Sequence, residues 1–181
     1  MEKPSNLLKA VSISGLLLAC VLVSWAMLPG DQIQISPTLS FQVIDGREIK
    51  LSDLRGSPVM VTFWATTCDT CVKKVPELKS LYQKFQPLGL EIIAVVMAYD
   101  PPNRILAFSR DQALPYAVAL DVEGALAREF DDVELTPSTF LIDSRGNLVF
   151  DKTGDIEPGI LEQKIVDLLN EQENKNGLAS T

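Results

Sequence analysis

Val59-Met60-Val61-Thr62-Phe63-Trp64-Ala65-Thr66-Thr67-Cys68-Asp69-Thr70-Cys71 is the stretch on which the reading of this chain turns. Its first six residues form a nearly continuous apolar run, the pattern of a central strand buried on both faces. A helix is predicted from about Cys71 to Phe85. Val75, Leu78, Leu81, Tyr82 and Phe85 recur there at three- and four-residue spacing and make one apolar face. Pro76 falls inside that helix and is expected to kink it. A C-x-x-C pair therefore lies where a buried strand gives way to a helix.

That position supplies chemistry. A thiol at a helix N-terminus meets unpaired backbone N–H groups and the positive end of the helix dipole, which favour thiolate over thiol. Cys68 is then the exposed nucleophile. Cys71, one turn further in and more buried, resolves the mixed disulfide. Asp69 disfavours a Cys68 thiolate, while Lys73 and Lys74 favour it. Two other uses of the pair compete: an inert structural disulfide, and Cu(I) held by two soft thiolates. Zinc would need about four protein ligands, and here there are two neighbouring cysteines and no histidine.

Composition narrows the classes further. The 181 residues contain no histidine, which excludes Ser-His-Asp and Cys-His nucleophile sites and histidine-ligated metal or haem. Sixteen basic against 24 acidic residues give a net charge of −8, with no basic stripe for nucleic-acid phosphates. No nucleic-acid partner is expected. No cofactor beyond a redox-active Cys68–Cys71 disulfide is implied either.

Around the central strand the elements alternate. Phe41 to Ile44 and Glu48 to Leu51, joined through Asp45-Gly46, read as a β-hairpin. Ser52 to Gly56 fits a helical turn, and Leu90 to Met97 a second buried strand. Asn103 to Gln112 reads as a helix, Tyr116 to Leu120 as a strand, and Gly124 to Phe130 as a short helix. Thr139 to Ile142 and Leu148 to Phe150 make a second hairpin, and Glu157 to Asn170 closes as a helix. Such alternation argues an α/β arrangement of helices over a mixed sheet.

The N-terminus sets the compartment. Ala10 to Leu28 is uncharged and would span roughly 28 Å as a helix, close to a bilayer core. Trp25 stands near its outer end and Pro29-Gly30 stops it. A retained anchor is the expectation, because the apolar run exceeds the core of most cleaved signals. A cleaved signal (small residues Ser24 and Ala26) and a lipoprotein signal acylated at Cys20 are the alternatives, and all three export the rest. Lys3 and Lys9 favour a cytoplasmic N-terminus. Residues 1–30 are thus a cytoplasmic stub and signal-anchor, 31–39 a tether, 40–170 the folded domain, and 171–181 a polar, frayed tail.

FWATTCDTC, Pro76 five residues after Cys71, and TPSTFLID from Thr136 to Asp143 together resemble the thioredoxin superfamily. More narrowly, with LSDLRG before the active-site strand and the segment from Asp100 to Phe130 before the proline loop, the chain resembles membrane-anchored TlpA/ResA-like thiol-disulfide oxidoreductases of bacteria. The resemblance implies a thioredoxin-like fold, a central mixed β-sheet flanked by helices, with an N-terminal hairpin and a TlpA-type insertion. It implies a cis Pro137 opposite the dithiol, and client binding by Trp64, Thr136 and Pro137. It also implies disulfide-bearing exported clients, apocytochrome c among them, and a membrane dithiol donor, with the catalytic domain on the periplasmic side of the inner membrane.

Departures from the family pattern are informative. Thr67 stands where a Trp often precedes the first cysteine, and Asp69-Thr70 replaces Gly-Pro between the cysteines. Thr62 occupies the place of a buried acid in thioredoxins proper. Asp100 is the nearest carboxylate to serve in proton transfer, unless it merely starts a turn before two prolines. A disulfide oxidase running the same steps backwards remains a rival, as does Cu(I) delivery. A peroxiredoxin-type peroxidase fits less well, since Trp64-Ala65-Thr66-Thr67 precedes Cys68 in place of that class's Pro and Thr.

Overall fold

In a computed structural model, which describes residues 34–178, a five-stranded sheet runs through the molecule in the order β5-β4-β3-β6-β7. Its strands are β3 (Val59–Trp64), β4 (Glu91–Val96), β5 (Ala117–Leu120), β6 (Ser138–Ile142) and β7 (Leu148–Thr153). The hairpin strands β1 (Ser40–Gln42) and β2 (Glu48–Lys50) form a separate two-stranded sheet. Four α-helices accompany them: α1 (Asp69–Phe85), α2 (Pro102–Asp111), α3 (Ala125–Glu129) and α4 (Pro158–Leu178).

β3 lies at the centre because its sequence can be buried everywhere. All six of its residues are buried, and it pairs in parallel with β4 (Val61 opposite Ile93) and antiparallel with β6 (Val61 opposite Phe140). Residues alternate between the two faces. Val59, Val61 and Phe63 join Phe41, Phe130 and Phe140 in one core, whereas Met60 and Trp64 join Leu81, Phe85 and Ile165 in the other. Helices α1 and α4 cover the second face through Cys71, Leu81, Phe85, Leu161 and Ile165. The hairpin covers the β5 edge, where Ile44 N–H donates to the Val118 carbonyl at 2.9 Å and Val43 bridges Ala119.

Turn chemistry follows the sequence closely. Val43 and Arg47 close the first hairpin, and Gly46 supplies the φ of +91° that the loop's last residue requires. Between β6 and β7, the buried Asp143 carboxylate accepts from Asn147 N–H and Nδ2 and from Arg145 N–H and Nε. Gly146 there has φ +86°, and any Cβ would run into the Arg55 guanidinium. Burial pushes the Asp143 carboxyl up, but the hydrogen bonds from Asn147 and Arg145 outweigh it and hold the group below its ordinary value.

Three boundary expectations need correction. Residues 34–39 are not a free tether: Ile35 is 3% exposed in the core and Leu39 packs against it, while Gln34 bridges Asn147. A polar stretch carrying one well-placed isoleucine reads as linker, yet burying that side chain is favourable by about 2 kcal/mol. The C-terminal tail does not fray at Glu171, since α4 continues to Leu178. Residues 171–176 contain neither Gly nor Pro, and Gln172 lies against Gly89. Finally, α1 starts at Asp69, two residues before the expected start, and runs to Phe85 through Pro76. No helix among the described residues is long and apolar enough to cross a membrane, and the proposed anchor at 10–28 lies outside them.

Ile35→Ala is expected to cost about 2–3 kcal/mol in urea unfolding, where a tether residue would cost nothing measurable. Asp143→Ala should cost about 2 kcal/mol at neutral pH. Because the folded carboxyl titrates below its unfolded value, its contribution is complete above about pH 4 and disappears as pH falls through the folded value. The gap between variant and wild type should therefore narrow in acid.

Candidate active site

The parallel pairing of β3 with β4 brings two loops out at the same end of the sheet, and antiparallel β6 begins there. These loops carry Thr66 to Cys68, Met97 to Asp100, and Leu135 to Pro137. Cys68 is the N-cap of α1, with extended backbone (φ −90°, ψ 99°), and its Sγ accepts from Cys71 N–H at 3.2 Å. A sulfur thus does the capping work usually done by Ser or Asp, which is why the helix begins earlier than its apolar periodicity suggests. Cys71 follows in the first turn. The two are joined as a disulfide, with Cα atoms 5.2 Å apart. Cys68 is half-buried and Cys71 only 6% exposed. The first sulfur can therefore meet a protein substrate, and the second cannot.

Asp100 carries more than a turn. It is 3% exposed, and its carboxylate accepts from Thr66 N–H at 2.5 Å and from Thr66 Oγ1 at 2.8 Å. Met97 N–H donates to the Trp64 carbonyl, extending the β3–β4 ladder as far as this clamp. Asp100 is thus tied to the backbone two residues before Cys68 and fixes where that sulfur leaves the sheet. The role of Thr66 was not legible in the sequence, because its partner lies 34 positions away on a neighbouring loop.

The Thr136–Pro137 bond is cis, and Pro137 shares a cavity wall with Cys71. The Pro137 carbonyl accepts from Gly154 N–H at 2.8 Å. Among the described residues, no hydrogen bond uses the Thr136 N–H or carbonyl. Trp64 departs from expectation: it is 5% exposed, tilted against Phe108 at 5.5 Å, and has no face to offer a client. It belongs to β3, whose alternation turns it inward under α1. Exposed apolar surface at this end comes instead from Tyr99 (58% exposed) and Leu135 (67%).

The charged neighbours also sort themselves. Asp69 and Lys73 are exposed. Lys74 is engaged: its Nζ meets Asp155 Oδ1 at 2.8 Å, Glu77 Oε2 at 2.9 Å and the Ile156 carbonyl at 3.0 Å. The hydrogen bond to Asp155, then that to Glu77, raises the Lys74 ammonium above its usual value, and the same contact lowers Asp155. Its charge is therefore directed at these carboxylates, against the expectation that it acts freely on Cys68. Glu77 is a legible i,i+3 partner, but Asp155 is brought in by the loop after β7 and carries no sequence signal.

Residues 33–151 match the AhpC/TSA family. The thiol-disulfide oxidoreductase ResA of Bacillus thuringiensis subsp. konkukian is 30% identical over 169 residues, covering 89% of this chain and 95% of that protein. The chain belongs to the thioredoxin-like AhpC/TSA family and is a thiol-disulfide oxidoreductase. ResA of Bacillus subtilis is 31% identical over 126 residues, covering 70% of this chain and 69% of the relative. A thioredoxin-family thiol:disulfide interchange protein from Chlorobium tepidum superposes with a TM-score of 0.70 at 19% identity, over 78% of this chain and 99% of the other, and shares the fold.

In this oxidoreductase, Asp100→Ala should leave the Thr66 N–H and hydroxyl without their acceptor. A loss of about 2–3 kcal/mol in urea unfolding of the oxidised protein is expected, with Asp100→Asn costing less because one carbonyl oxygen remains.

Proposed function

We propose that the chain is an exported, membrane-tethered reductant of disulfides in client proteins. The observation that carries this reading is the asymmetry of its two sulfurs: Cys68 half-exposed at a helix N-cap, Cys71 buried one turn behind it. Cys68 thiolate attacks a client disulfide, and one client sulfur leaves as thiolate. Cys71 thiolate then attacks Cys68 Sγ, the second client sulfur leaves, and the client is reduced by two electrons as the Cys68–Cys71 bond forms. The disulfide is the only redox group this cycle uses.

Thr136, with its backbone N–H and carbonyl unused beside the cysteines, would pair with an extended client segment by strand addition. Tyr99 and Leu135 would give that segment apolar contacts. Tethering rests on the uncharged run from Ala10 to Leu28, and export on the same segment together with Lys3 and Lys9. The catalytic domain would then face the periplasmic side of a bacterial inner membrane, recharged by a membrane dithiol donor. Clients of this chemistry include apocytochromes c, whose haem-site cysteines must be reduced before haem is attached.

The reduction potential of the Cys68–Cys71 couple tests the direction of electron flow. Equilibration of the detergent-solubilised chain with dithiothreitol or glutathione buffers should give a value below about −220 mV, toward the roughly −270 mV of thioredoxin. A value near about −120 mV, like that of the oxidant DsbA, would overturn the reductant reading and make the protein a disulfide donor.

A further inference from the structure

Two small cavities lie beside the cis-proline loop. The inner one, about 50 Å³, is lined by Cys71, Trp64, Thr62, Tyr116, Lys74 and Pro137 among others. The outer one, about 60 Å³, shares Thr62, Lys74, Leu78 and Pro137 with it and adds Glu77 and Asp155. Shared walls make them neighbouring chambers between the buried sulfur and the carboxylates near the surface. Each exceeds the roughly 10–15 Å³ that one water needs. The inner wall is polar enough to hold one. Trp64 Nε1 is buried and no protein acceptor reaches it, a condition that costs about 1–3 kcal/mol unless water accepts the bond. The Thr62 hydroxyl, already within 3.3 Å of Thr139 Oγ1, offers a further partner.

Resolution of a mixed disulfide needs a proton to leave Cys71, because only the thiolate attacks. At 6% exposure that proton has poor access to bulk water. From β3, the side facing Cys71 supplies Thr62 and Trp64, with no charge. Tyr116, before β5, is a phenol that burial pushes up and out of play at neutral pH. Lys74, on α1, is already a cation, and its partners keep it so. Asp155, from the loop after β7, is 63% exposed, so it stands in solvent, and it takes the stronger of Lys74's two carboxylate contacts, which holds it low. Asp69 and Lys73 are exposed. Asp100, buried after β4, has its carboxylate taken up by Thr66 N–H and Oγ1 and lines neither cavity. Glu77 remains, half-buried on the outer cavity wall and hydrogen-bonded to Lys74. Cys71, Lys74 and Glu77 are spaced three residues apart, so the path winds from the buried face of α1 to its flank.

We infer that Glu77 receives the Cys71 proton through water in the paired cavities, with Lys74 positioning the carboxylate. The Cys71 S–H gives its proton to cavity water, which passes one to Glu77. The thiolate attacks Cys68 Sγ, the Cys68–client S–S bond breaks, and the client sulfur leaves with the electron pair. Glu77 then returns its proton to solvent, and no further oxidant or reductant is required. This inference rests on the two-step dithiol cycle proposed above.

Reaction of the reduced full-length chain, with Cys20→Ser to remove the third thiol, with stoichiometric 5,5′-dithiobis(2-nitrobenzoate) separates the two steps as successive releases of thionitrobenzoate. The first release reports attack by Cys68 and the second reports resolution by Cys71, with a leaving group that needs no proton. Glu77→Gln is expected to slow the second release at about pH 6.5 by roughly tenfold or more, with the difference vanishing near about pH 9.5. Glu77→Asp should fall between Gln and wild type. Second-phase pH profiles that superpose for wild type and both variants would overturn the inference. If Glu77→Gln loses both phases through misfolding, Glu77→Asp decides: slower than wild type in acid supports the role, and identity with wild type overturns it. A wild-type protein without a first phase would instead overturn the dithiol cycle.

Discussion

Strand β3 has no exposed face and no free edge, and that constraint organises the molecule. Because Val59 to Trp64 are buried throughout, the chain must lay strands on both sides and helices above and below. Parallel β4 and antiparallel β6 then send their loops to the end where β3 stops. The Cys68–Cys71 pair, the Asp100 clamp and the cis-proline loop thus meet as a consequence of strand order, although they come from segments far apart in sequence. Moving the register of β3 by one residue would exchange Phe63 and Trp64 between cores and turn the whole end of the sheet inside out.

Within that frame, the site is assembled from helix-end physics. The first turn of α1 has N–H groups to spare, and Cys68 Sγ accepts one of them from Cys71. The same donors that stabilise the helix end would stabilise a thiolate once the disulfide opens. Lys74, by contrast, spends its charge on Asp155 and Glu77. The ammonium thus organises the Glu77 and Asp155 carboxylates on the flank of α1, and backbone N–H groups are what the helix end offers Cys68.

Much of this was legible in the sequence, for a physical reason. β3, α1 and both hairpins are encoded by local patterns: a continuous apolar run, a three-four periodicity, and glycine where a positive φ is required. The C-x-x-C and Thr-Pro motifs carry the chemistry in contiguous residues. What escaped the reading depends on contacts between distant positions. Ile35 looks like part of a polar linker until the core that receives it is built. Trp64 looks like a binding surface until strand alternation turns it under α1. Asp155 has no motif at all, and reaches Lys74 only because β7 ends beside that helix. The last turns of α4 have no signature in the sequence, because a polar helix end lacks the apolar repeat by which helices are recognised.

The hairpin that covers β5 has a consequence for how copies of this chain treat one another. An open sheet exposes two rows of unpaired peptide groups, either of which can recruit a neighbour's strand. Here Val43 and Ile44 occupy one of those rows, and the other belongs to β7, where Asp151 and Lys152 stand exposed. The sealing segment emerges early, whereas the strand it seals comes much later in the chain. Once β5 has formed, its rim stays adhesive until the hairpin docks on it. Resistance to aggregation at that rim is acquired only when the two ends of the fold have met.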